Sequence, residues 1–129
     1  MNLPLHLGWL GALEAGLIAL AVGLLLYAVF HALGERFGWN PGHAIGWACL
    51  SAVAVAAGID LWNLFYLGVV RLESPVYARI ALSKIHDADG LGARVVMEIL
   101  GALTGVALAW MALQARAARH RRDLGNGEN

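Results

Sequence analysis

Apolar residues fall in three long blocks, and polar residues gather between them. The blocks run over about 7–33, 44–70 and 91–113. A helix rises about 1.5 Å per residue, so roughly 20 apolar residues cross the ~30 Å hydrocarbon layer of a bilayer. Each block meets that requirement. The pattern predicts an all-α fold, an integral membrane three-helix bundle.

The polar segments set the joints. In "GERFGWNPGH", Gly34 is expected to close the first helix and Asn40-Pro41 to open the second. So short a joint makes the first two helices antiparallel neighbours. The second joint, 72–90, is longer and carries structure of its own. Ser74-Pro75 is an N-cap followed by proline at the first helical position. Val76, Tyr77, Ile80, Ala81 and Ile85 then recur at helical spacing, with Arg79, Ser83 and Lys84 off that face. This predicts a short amphipathic helix over about 75–86, lying in the membrane interface between spans two and three. It is stopped by "HDADG", where Asp89 is the candidate cap of the third span. From Arg116 the chain turns basic, then polar with glycine and asparagine, and is expected to fray. The organisation read here is one transmembrane domain over 1–115 and a tail over 116–129.

Composition supports the membrane reading. Of 129 residues, 60% are hydrophobic and only 14% charged, whereas soluble domains run near about half and a quarter. The length suits a single domain. The N-terminal block is not expected to be a cleavable signal, because it lacks a basic leader, is too long, and contains Glu14. The formal charge is zero, and no basic stripe is interleaved with aromatics, so nucleic acid is not an expected partner. Cys49, the single cysteine, reads as a packing residue and offers neither an intrachain disulfide nor a CxxC site. Trp9 falls near one end of the bundle and Trp39, Trp47 and Trp110 near the other, as aromatic belts do. Arg36, Arg116, Arg119, Arg121 and Arg122 lie on one side; Arg71, Arg79, Lys84 and Arg94 lie on the other. The tail cluster tips the expected orientation towards a cytoplasmic C-terminus in a bacterial-type inner membrane.

Against this apolar background each span carries one acid: Glu14, Asp60 and Glu98. A mid-helix acid costs about 2.5–3.5 kcal/mol on insertion scales. Counted along the helices, all three fall in one half of the membrane, roughly 5–15 Å below the surface on the N-terminal side. Asp60 belongs to the heptad Gly46, Cys49, Val53, Ala56, Asp60, Asn63, Leu67, and Glu98 to the row of Gly101, Gly105 and Ala109. Gly101-x-x-x-Gly105 permits close helix approach. Both acids are therefore expected to face protein. Glu14 stands opposite a small-residue stripe of Gly8, Ala12, Gly16, Ala19 and Gly23. The first helix thus has two packing faces, one of them suited to another subunit.

Each acid has a different prospect of a partner. Arg94, one turn before Glu98, is its candidate ion-pair partner. Asp60 has Asn63 one turn away, while Arg71 is about 16 Å along the axis. Asp60 is therefore expected to find a partner on another helix, to hold a proton, or to bind a cation.

Other chemistry is sparser. His31 and His43 flank the first joint and are candidate ligands for haem or a transition metal. His86, Asp87 and Asp89 offer a divalent-cation contact but lack the EF-hand pattern, and turn formation accounts for them more simply. The sequence carries no nucleophile elbow, P-loop, HExxH or dinucleotide fingerprint, so an enzyme is the least supported class. Small three-span anchors of respiratory complexes share this size and helix count, a likeness of architecture alone. The expected activity is handling of a proton or cation by Glu14, Asp60 and Glu98, with Asn63 as polar support. A homo-oligomer or other membrane subunits would shield the site. The alternative is a structural or anchoring subunit of a membrane redox complex, haem or quinone, in which the acids dock a partner.

Overall fold

A computed structural model of the chain describes residues 5–69, 75–83, 85 and 88–126. Among the described residues there are four α-helices and no strand: α1 (Gly8–Phe37), α2 (Pro41–Val69), α3 (Pro75–Ser83) and α4 (Leu91–Asn126). A 3₁₀ turn, Ala88–Gly90, leads into α4. The helices α1, α2 and α4 are each long and apolar enough to cross a membrane. They pack into one bundle, while α3 makes few contacts with it.

The first joint closes later than expected. Helix α1 runs through Gly34 to Phe37 and ends at Gly38, whose φ of 66° is the left-handed conformation that glycine adopts without penalty. The Trp39 N–H then donates to the Gly34 carbonyl at 2.9 Å. Gly34 serves packing instead: a Cβ there would stand 3.5 Å from the Ala44 methyl. Asn40 caps α2 as its sequence suggests. Its Oδ1 accepts from the Gly42 N–H at 3.1 Å and its carbonyl from the His43 N–H at 2.9 Å, with Pro41 at the first helical position.

Helices α1 and α4 run parallel and meet through glycine. A Cβ on Gly101 would run into the Gly16 carbonyl oxygen, one on Gly105 into that of Leu20, and one on Gly23 into that of Ala102. Backbones this close gain dispersion contacts that lipid does not replace. The stripe Ala12, Gly16, Ala19 and Gly23 is therefore spent inside the chain, against α4, not on another subunit. Helix α2 completes the core with a four-residue row, Ala44, Ala48, Ala52 and Ala56. The heptad read from the sequence is thus slightly rotated. Gly46 is exposed with open space beside it, and Cys49 is half-buried. Methyl groups let α2 approach more closely than the bulkier Val53 row would.

Large apolar side chains point outward, including Leu17, Trp47, Trp62, Phe65, Leu100 and Met111. A small-residue core with a leucine and aromatic exterior inverts the soluble pattern, as suits a hydrocarbon solvent. Helix α3 turns Val76, Tyr77 and Ile80 away from the bundle, each more than half exposed. Asp89 is exposed in the 3₁₀ turn. Arg71, Lys84, His86 and Asp87 lie outside the described residues.

The C-terminal segment does not fray where expected. Helix α4 is continuous to Asn126, 36 residues in all, or about 54 Å. Alanine and arginine are strong helix formers, and no glycine interrupts them between Gly105 and Gly125. Its arginines from Arg116 onward are carried on the exposed C-terminal part of that helix.

Candidate functional site

The alanine row of α2 continues, one turn on, into Asp60. With a spacing of four, Ala48, Ala52, Ala56 and Asp60 share the face that meets α4. On α4 the buried stripe is Leu91, Arg94, Val95, Glu98, Ala102. The two faces bring three charged side chains into one place. Asp60 and Glu98 are 0% exposed and Arg94 is 3% exposed. Arg94 Nε stands 3.6 Å from Asp60 Oδ2, and the Glu98 carboxyl is close enough to Asp60 for the two to interact electrostatically. The partner that the Asp60 helix could not supply comes from α4.

This arrangement is chemically tight. At 3.6 Å the Asp60–Arg94 contact is an ion pair, longer than a good hydrogen bond. Arginine suits such a site because its guanidinium spreads charge over a plane and presents several donors. In hydrocarbon an acid persists where it faces the bundle interior and meets a countercharge. Sequence spacing linked Arg94 to Glu98, on its own helix. The structure adds Asp60, 34 positions away in the chain, as an ion-pair partner across the α2–α4 joint. That pairing had no local signal beyond the presence of one basic residue at matching depth.

Glu14 does not join the buried group. Its level is right: its near neighbour Gly16 packs on Met97, next to Glu98, with the Met97 carbonyl oxygen 3.1 Å from a Cβ at that glycine. Its direction is wrong, because α4 takes the glycine and alanine face of α1 and leaves Glu14 on the opposite side. There the Glu14 side chain is 32% exposed and meets His6, with Nδ1 to Oε1 at 2.7 Å. The His6 backbone N–H also donates to Oε2 at 3.2 Å. Two glycines permit this fold-back. Gly8 has a φ of +70°, and a Cβ on Gly11 would run into the His6 carbonyl. The sequence places His6 on the side of the acids without pairing it to Glu14; Gly8 and Gly11 are the signal for that pairing. Asn63 is half-buried, one turn along α2 from Asp60.

The two histidines at the other end line different grooves. His31 Nε2 is 3.4 Å from Glu35 Oε1, and the ring stacks on Tyr27 with centroids 5.9 Å apart and planes 16° apart. It lines a groove with Trp39 and Gln114. His43 is exposed on the first turn of α2 and lines a different groove with Asn40 and Trp47. Among the described residues no three His, Cys, Asp or Glu side chains are grouped to hold a metal ion. No protein-family model, curated protein or solved structure matches the chain.

Proposed function

We propose that this chain is a small polytopic membrane protein that handles a proton or cation at Asp60 and Glu98, with Arg94 as a fixed countercharge. One observation carries the reading: two carboxyls and a guanidinium buried together within a bundle of membrane-spanning length. Two carboxylates at this range repel each other, and a proton held between them removes the repulsion. In a low-dielectric interior the gain or loss of that single charge changes the local energy by far more than it would in water. Arg94 keeps both acids in place while the charge changes. Asn63, one turn along α2 and half-buried, is a polar neighbour on the Asp60 side, whereas Glu14 with His6 stands apart from the site. A homo-oligomer or a larger membrane complex would complete the shielding of so small a bundle.

The test is reconstitution. Asp60→Asn and Glu98→Gln should abolish ion-dependent flux in proteoliposomes while the protein still elutes as the wild-type assembly. Wild-type flux in both variants would overturn the reading. The same reading places the protein in a bacterial-type inner membrane with the arginine-bearing end of α4 in the cytoplasm. Protease added to sealed inverted vesicles should then remove that extension, and protection there would reverse the orientation.

A second reading is that of an anchoring subunit in a membrane redox complex, haem or quinone. The observation favouring it is the breadth of exposed aromatic and leucine surface around a core of alanine and glycine. Purification in mild detergent should then bring down stoichiometric partners, and a lone monodisperse chain would contradict it.

A further inference from the structure

The end of the bundle opposite the buried charges holds a groove of about 380 Å³ between α1, α2 and α4. It exists because Gly34 and Ala44, where α1 leaves and α2 enters, have almost no side chain to fill it. Its polar lining comes from separate elements: Tyr27, His31 and Glu35 from successive turns of α1, Trp39 from the joint, and Gln114 from α4. Gln114 arrives here because α1 and α4 run parallel, so that the register set by Gly16 and Gly101 carries it to the level of His31. The volume lies in the range of small-molecule sites, which occur between the helices of bundles and combine apolar walls with a few polar groups.

The lining selects a class of ligand. Tyr27 hydroxyl, Gln114 amide and Trp39 indole are neutral hydrogen-bond donors. His31 stacks on Tyr27 and has the Glu35 carboxylate at Nε2. A carboxylate there favours the Nε2–H tautomer and leaves Nδ1 as an acceptor for a hydroxyl. No lysine or arginine is among the described lining residues, and Glu35 is largely exposed, which disfavours an anionic head group. Trp39, Trp47 and Trp110 mark this level as the boundary between hydrocarbon and water. The aromatic rings of Tyr27, His31 and Trp39 in the lining suit a flat ring, so the fitting ligand is neutral, flat, rich in carbonyl or hydroxyl oxygen, and tethered to an apolar tail.

We propose that this groove binds the head group of a membrane quinone, with Tyr27 and Gln114 donating to its oxygens and His31 accepting from the hydroxyl of the reduced form. The inference deepens the anchoring reading, but it is measured on the purified chain alone. Failure of quinone binding and failure of partner copurification are therefore separate results.

The experiment is equilibrium binding of a short-tailed ubiquinone analogue to the full chain in lipid nanodiscs, with empty nanodiscs as the reference for partitioning. Saturable binding near one per chain is expected. His31→Leu and Gln114→Leu, on different helices, should each weaken it about tenfold, the scale of one lost hydrogen bond. His43→Leu, in the neighbouring groove, should bind as wild type. Retained elution volume shows that each variant is folded. Uptake no greater than in empty nanodiscs, or equal binding by folded His31→Leu, Gln114→Leu and wild type, would overturn the proposal.

Discussion

Asp60 and Glu14 stand at the same level of the bundle and have opposite surroundings. Asp60 is sealed between α2 and α4 beside Arg94 and Glu98. Glu14 faces outward and is met by His6 from its own N-terminal segment. Depth along a helix does not separate them; direction around it does. Direction is set by where small residues let a neighbour approach, and α4 approaches α1 on the glycine face. An acid on that kind of face needs a countercharge from another helix, whereas an acid on the far face is served locally.

The largest expected effect breaks the buried side of the comparison. Arg94→Met removes the guanidinium beside buried Asp60 and should cost about 3–5 kcal/mol of stability. Denaturant unfolding in detergent measures it. Glu14→Gln, measured the same way, should change stability little, because its site is open and its partner lies on a short local segment. Equal losses from the two would erase the distinction between the sites.

The next effect tests what sets direction. Gly101→Ala puts a methyl against the Gly16 carbonyl and should cost about 1–3 kcal/mol as α1 and α4 are forced apart. Gly46→Ala adds the same methyl in open space on α2 and should stabilise by about 0.4–1 kcal/mol. If both changes gave the same sign, the glycine seam would not be what orients α1.

The smallest effect is local. His6→Ala should leave the unfolding midpoint near wild type while amide exchange rises at residues 8–11, where the fold-back covers the first turn. Unchanged exchange there would mean that Glu14 does not hold the segment.

What could be read from the residues alone follows from the kind of signal each feature carries. The three spans are a matter of length and apolarity, and the Asn40-Pro41 start is a matter of backbone chemistry, so both are legible. The level of the acids follows from simple counting at a fixed rise. Rotation is harder: a helix apolar all round carries little amphipathic signal to orient it, and the heptad pattern of α2 turns Gly46 inward where the structure buries Ala44 and Ala48. The Asp60–Arg94 pair joins distant parts of the chain and depends on that rotation, so in the sequence it is only one of three prospects for Asp60, beside a held proton and a bound cation. Polar composition masks the extension of α4 to Asn126, where the helix propensity of alanine and arginine outweighs the charge. The pairing of His6 with Glu14 has no periodic signal, because His6 precedes the helix and reaches back through a turn at Gly8.

The central claim is that Asp60 and Arg94 act as a unit across α2 and α4. A double-mutant cycle with Asp60→Asn, Arg94→Met and the double variant, unfolded in the same detergent, tests it directly. Non-additivity of about 1–3 kcal/mol is expected, with the double variant more stable than the sum of the single losses implies. Additivity within about 0.3–0.5 kcal/mol would contradict it.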